Sequence, residues 1–164
     1  MRTSTQPWRP SLTSSATDFW DSITEEAGRE SPLWAAAARS APEREPVFSP
    51  LCDDVFAEGL ETIYEGYLSH YGRPRLFAPP DDELALLLGD YLYAHGLVRI
   101  AATGSVDAVA ELSELISLCS RLRAEGEDGD AEAWLAAAVA LGPRPPDDAA
   151  AERALAAHRA RVTR

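Results

Sequence analysis

Apolar positions recur at spacings of three and four through most of this chain, and the elements they predict are helices. Between residues 49 and 70, Cys52, Phe56, Leu60, Ile63 and Tyr67 share one face. Asp54, Glu58, Glu61 and Glu65 recur along another, the pattern of a solvated acidic stripe. Ser49-Pro50 reads as the start of this helix, with a capping hydroxyl and a proline where no amide donor is needed. Gly72 and Pro74 end it. The next helix, 82–103, is apolar nearly all round and is expected to be enclosed by protein. Gly89 and Gly96 lie seven apart on one side of it, which predicts a close helix neighbour there. Asp90 then falls beside a crowded contact, as a structural acid paired with an arginine or a backbone amide.

A third helix, 105–125, buries Ala108, Leu112, Leu115, Cys119 and Leu122. Gly129-Asp130 opens a fourth, closed by Gly142 and Pro143, and an alanine-rich helix or tail covers 143–164. Upstream, two short helices are expected over 17–28, carrying Phe19, Trp20 and Ile23, and over 32–39. Residues 40–48 read as a linker. Residues 1–16 are rich in Ser, Thr and Pro and read as a disordered tail, although Trp8 sits in it. Strand-like alternation persists nowhere. The predicted class is all-α: a helical core over 49–142, with short helices and a linker over 17–48.

Charge narrows the partners. The net charge is -12, from 27 acidic and 15 basic residues, and every basic residue is arginine. Such a surface suits neither nucleic acid nor anionic lipid. Cys52 and Cys119 lie far apart in apolar patterns and read as buried thiols. His70, His95 and His158 have no metal-ligand spacing with them, so neither a metal nor another cofactor is expected in this chain. The first twenty residues hold no continuous apolar run of a secretory signal. Asp90, His95 and Arg99 interrupt the most apolar stretch, so stable membrane insertion is not expected. The expected location is the cytoplasm.

The stretch "LLLGDYLYAHGL" resembles the Gly-Asp-Tyr-Leu helix of the trans-isoprenyl (polyprenyl) diphosphate synthases. In that family an Asp-Asp-x-x-Asp helix, two arginines and a Gly-x-Pro turn precede it. Here Gly72-Arg73-Pro74 stands where the turn belongs, and the resemblance runs over about residues 50 to 125. It implies the N-terminal half of the isoprenoid synthase helical fold. The aspartate positions fall on Glu61, Thr62 and Glu65, and the arginine positions on His70 and Tyr71. Thr62 brings no charge, and the bidentate grip on a diphosphate is lost. The family's second aspartate motif has no counterpart here.

The resemblance therefore implies a half-length, non-catalytic small subunit with no catalytic residue of its own. It would pair with a full-length synthase that carries the magnesium, or form a homo-oligomer. The scaffold would be the helix of Gly89, Asp90 and Gly96, and the family's interface helices would offer Tyr91, Leu92, Leu112, Leu115, Cys119 and Leu122. A helical adaptor unrelated to isoprenoids, or a divergent active prenyltransferase using Glu61 and Glu65, are the alternative readings.

Overall fold

A computed structural model describes residues 18–143 and 145–162, and these form seven α-helices. They are α1 Asp18–Glu30, α2 Pro32–Ala37, α3 Asp54–Tyr71, α4 Asp82–Ala102, α5 Val106–Glu125, α6 Asp130–Ala140 and α7 Asp148–Arg161. No strand forms among the described residues, and the all-α reading holds. The expected tail with Trp8 lies outside them.

Local chemistry sets most boundaries. Asp81, Ser105 and Asp147 cap α4, α5 and α7, each accepting an amide N–H three residues on. Gly126 closes α5 in the left-handed conformation, φ 68°. One boundary departs from the sequence reading. Ser49–Leu51 form a single 3-10 turn, and α3 begins only at Asp54. Proline fixed a turn there, but it did not start the long helix.

The enclosed helix is α3, not α4. Every residue from 59 to 69 is buried, on all sides of the helix. Below it, Leu60, Ile63, Tyr64 and Tyr67 join α5, α6 and α7 through Leu112, Leu115, Cys119, Trp134 and Ala154. A second apolar cluster holds α1, α2 and α4 together through Trp20, Ile23, Trp34, Leu88 and Leu92, with Leu76 and Phe77 from the α3–α4 connection.

α3 and α4 pack backbone to backbone. Gly59 and Gly66 lie seven apart on α3 and meet Gly96 and Gly89 on α4. A methyl group at Gly66 would stand 2.9 Å from the Gly89 carbonyl oxygen, and one at Gly96 would stand 3.0 Å from that of Gly59. The close neighbour expected at Gly89 and Gly96 is thus α3, and two further glycines complete the seam. The stretch read as a linker, 40–48, is largely exposed but tethered: Glu43 donates its backbone N–H to the Arg75 carbonyl, and Val47 and Phe48 are buried.

Candidate functional site

The positions matched to the metal-binding aspartates form the most polar part of the interior. Glu61 and Glu65 lie one turn apart on α3, fully buried, on either side of the fully buried Arg75. Arg75 Nη1 donates to Glu61 Oε2 at 2.6 Å, and Nε donates to Glu65 Oε2 at 3.1 Å. Nη1 also reaches the Glu45 carbonyl at 2.9 Å. The guanidinium lies 4.8 Å from the Trp20 ring centroid and 5.0 Å from that of Tyr64. The other carboxylate oxygens accept backbone donors: Glu61 Oε1 from Val47 and Ser49, both at 3.0 Å, and Glu65 Oε1 from Leu76 at 2.7 Å.

Two carboxylates share one guanidinium, and three backbone N–H groups supply the rest of the compensation. Burial alone would lower the Arg75 pKa, but Glu61 and Glu65 raise it on balance. The expected solvated stripe is therefore half interior. Asp54 is exposed, Glu58 is half-buried and pairs with Arg99, and Glu61 and Glu65 form a clasp that ties α3 to both flanking connections. Thr62 is buried and donates to the Glu58 carbonyl at 2.7 Å. Every oxygen of Glu61 and Glu65 is already engaged, so neither carboxylate is presented to a ligand.

His70 and Tyr71, at the arginine positions, line a cleft of about 850 Å3 with Arg39, Arg73 and Asp82. Burial lowers the His70 pKa, against the pull of Asp90, whose Oδ1 lies 3.3 Å from His70 Nε2. Asp90 itself departs from the sequence reading. Its side chain is 74% exposed, on the outer side of α4 rather than in the crowded seam. Gly89 does lie in that seam, where the absence of a side chain leaves room for the His70 ring.

A second polar cluster was not singled out in the sequence. The Asp130 carboxylate, at the start of α6, accepts from Tyr67 and Arg123 and lies 3.1 Å from His158 Nε2. Tyr64 Oη lies 3.1 Å from His158 Nδ1. Burial would raise the Asp130 pKa, but the hydrogen bonds from Tyr67 and His158 and the charge of Arg123 bring it down to about 2. Burial lowers that of His158 in spite of Asp130. Tyr64 and Tyr67 are pushed up, first by burial. The members come from α3, α5, α6 and α7, so nothing in local spacing could have joined them.

This cluster gives a pH prediction. A His158 pKa below its ordinary 6.5 means that the unfolded chain binds the proton better, so stability falls as pH drops below that value. His70 shifts the same way and adds to the loss. Asp130 contributes fully above its ordinary 3.8 and loses its contribution as pH falls to about 2. Urea unfolding between pH 8 and 3 should show stability declining from about pH 6.5. His158→Gln should flatten that upper limb. A flat wild-type profile from pH 7 to 5 would contradict the assignment.

Most residues expected at an interface already have partners within the chain. Leu112, Leu115, Cys119 and Leu122 are buried, the first three in the core around α3. Leu92 is buried against α1 and α2. Tyr91 is half-buried and stacks on Trp34 at 5.9 Å between centroids. These six are therefore not a free surface. Cys52 and Cys119 are buried thiols as expected, and burial pushes each up to about 12.

A free apolar stripe lies on the other side of α4, apart from the scattered exposed Leu33, Val55, Val106 and Leu118. Leu86, Leu87 and Val98 are 52%, 51% and 64% exposed, and Ala94 and Ala101 are exposed with them. Leu87, Ala94, Val98 and Ala101 recur at seven, four and three, which makes one stripe. By length and composition alone α4 could cross a membrane. Two polar groups on it pair within the protein: Arg99 with Glu26 on α1 and Glu58 on α3, and His95 with Glu26.

The fold and these sites define an all-α helical bundle with an internal charge clasp and an apolar stripe on the outer side of α4. Compared with known proteins, the chain matches no protein-family model, no curated protein and no solved structure.

Proposed function

We propose that this chain is a non-catalytic helical subunit that acts by binding another polypeptide along the outer face of α4. The observation that carries the reading is the continuous stripe of exposed Leu87, Ala94, Val98 and Ala101 on the outer side of α4. Large aliphatic groups clustered on one helix face mark association surfaces. The sequence resemblance nominates a full-length polyprenyl diphosphate synthase as the partner, with this chain supporting its activity or its product length. The engaged oxygens of Glu61 and Glu65 favour an inert subunit over a divergent enzyme. An adaptor outside isoprenoid synthesis would use the same surface.

Two measurements test this. The purified chain, given magnesium, isopentenyl diphosphate and an allylic diphosphate, is expected to form no product above a protein-free control. Turnover would overturn the inert reading. Co-expressed with a full-length polyprenyl synthase, the chain is expected to co-purify in a stable complex. The Leu87→Asp/Val98→Asp variant should lose the complex by light scattering while keeping its helical circular dichroism, because both side chains are exposed in the free chain. A wild-type chain that never associates with the synthase would remove the isoprenoid partner from the proposal.

A further inference from the structure

We infer that the α4 face is built for a helix with an apolar seam flanked by basic residues, and not for a second copy of this chain or a lipid surface. The inference rests on the docking role proposed above and adds the chemistry of the occupant. The apolar stripe has the three-and-four recurrence of a helix–helix seam, with small residues at Ala94 and Ala101 that let a partner approach.

Charge then selects the partner. Glu83 and Asp90 lie seven apart along the edge of the stripe, both exposed, where flanking residues of a paired helix meet. Among the described residues Asp90 pairs only with His70, at 3.3 Å, and burial lowers the pKa of that ring. No ion pair forms at Glu83 among the described residues. The edge of the stripe thus carries two exposed carboxylates that pair with no arginine among the described residues. A second copy would bring the same acids, and a second charge of -12, to the contact. An anionic membrane meets the same repulsion. A helix with Lys or Arg flanking its seam supplies what the face lacks.

Two synthetic helical peptides serve as probes. They share a leucine seam and differ only in carrying lysine or glutamate at the flanking positions. Fluorescence anisotropy should show the lysine peptide binding at least ~10-fold more tightly at low salt, with the preference shrinking at 0.5 M salt, roughly a 4 Å screening length. Glu83→Lys/Asp90→Lys should reverse the preference. Leu87→Ser/Val98→Ser should abolish binding of both peptides with circular dichroism unchanged.

Binding that needs Leu87 and Val98 but ignores the charges at 83 and 90 would overturn this inference and leave the docking face standing. Binding indifferent to Leu87 and Val98 would remove the docking face as well. Self-association through Leu87 and Val98 in sedimentation velocity, or partition onto phosphatidylcholine vesicles without peptide binding, would overturn the choice of occupant.

Discussion

Arg75→Ala is expected to unfold most of the protein, or to leave it without a cooperative transition. Among the described residues the guanidinium is the only side-chain cation bonded to the buried Glu61 and Glu65, and all three side chains are fully buried. Removing one partner of a buried ion pair costs roughly 3–5 kcal/mol, because the remaining charge stays desolvated. Here two carboxylates are stranded one turn apart, and their repulsion adds to that cost. The variant also empties a space between the Trp20 and Tyr64 rings. Against a total stability of about 5–15 kcal/mol for a small domain, this loss is decisive.

Guanidinium unfolding followed by circular dichroism measures it. A control separates charge from packing: Arg75→Met in a chain also carrying Glu61→Gln and Glu65→Gln should recover part of the loss, because no charge is then stranded and the amide oxygens can still accept the backbone N–H groups of Val47, Ser49 and Leu76. An Arg75→Ala protein that unfolds within about 1 kcal/mol of wild type would mean that the clasp is not holding α3 to its flanking connections.

The helices and their order were legible in the sequence because each rests on local periodicity and caps. The α4–α5 turn at Ser105, the α5 stop at Gly126 and the α4 cap at Asp81 all depend on residues within three or four positions. Which helix lies at the centre was not legible. Hydropathy favours α4, with its run of leucines, whereas α3 carries Glu61, Thr62, Glu65 and Ser69. Glu61 and Glu65 are tolerated inside because Arg75, Val47, Ser49 and Leu76 come from other segments to satisfy them, whereas Thr62 and Ser69 donate to carbonyls of α3 itself. A helical wheel sees no partner ten or fourteen residues away in a connection.

The same limit applies to Asp90 and to the aspartate-motif positions. Adjacency to Gly89 suggested a crowded site, but successive residues on a helix point about 100° apart. Gly89 lies in the seam and Asp90 points outward. Glu61 and Glu65, spaced like metal ligands, are spaced equally well to hold one guanidinium. The four-glycine seam was half visible, since Gly89 and Gly96 stood out in an apolar run. Gly59 and Gly66, at the same spacing of seven on α3, were the signal that could have named the neighbour.

That seam supports the second large effect. Gly66→Ala is expected to destabilise, although alanine is the better helix former by about 1 kcal/mol. The added methyl would lie 2.9 Å from the Gly89 carbonyl oxygen, 3.0 Å from Tyr93 Cδ1 and 3.2 Å from Leu92 Cβ. The nearest of these is backbone of a packed helix, so α4 must shift as a whole rather than one side chain turn aside. Overpacking a filled contact costs about 1–3 kcal/mol, enough to outweigh the propensity gain. Because α4 also carries Arg99 and His95, a shift strains their pairs with Glu26 and Glu58. Gly28→Ala is the opposite case. A methyl there meets Ala35 Cβ of α2 at 3.5 Å, an ordinary contact, and Gly28 lies within α1, so the substitution should stabilise by up to ~1 kcal/mol. Urea unfolding of the two variants beside wild type should move the midpoint in opposite directions. If both glycines respond alike, with the stabilising sign, α3 and α4 are not in backbone contact at Gly66 and the seam is not what sets their spacing.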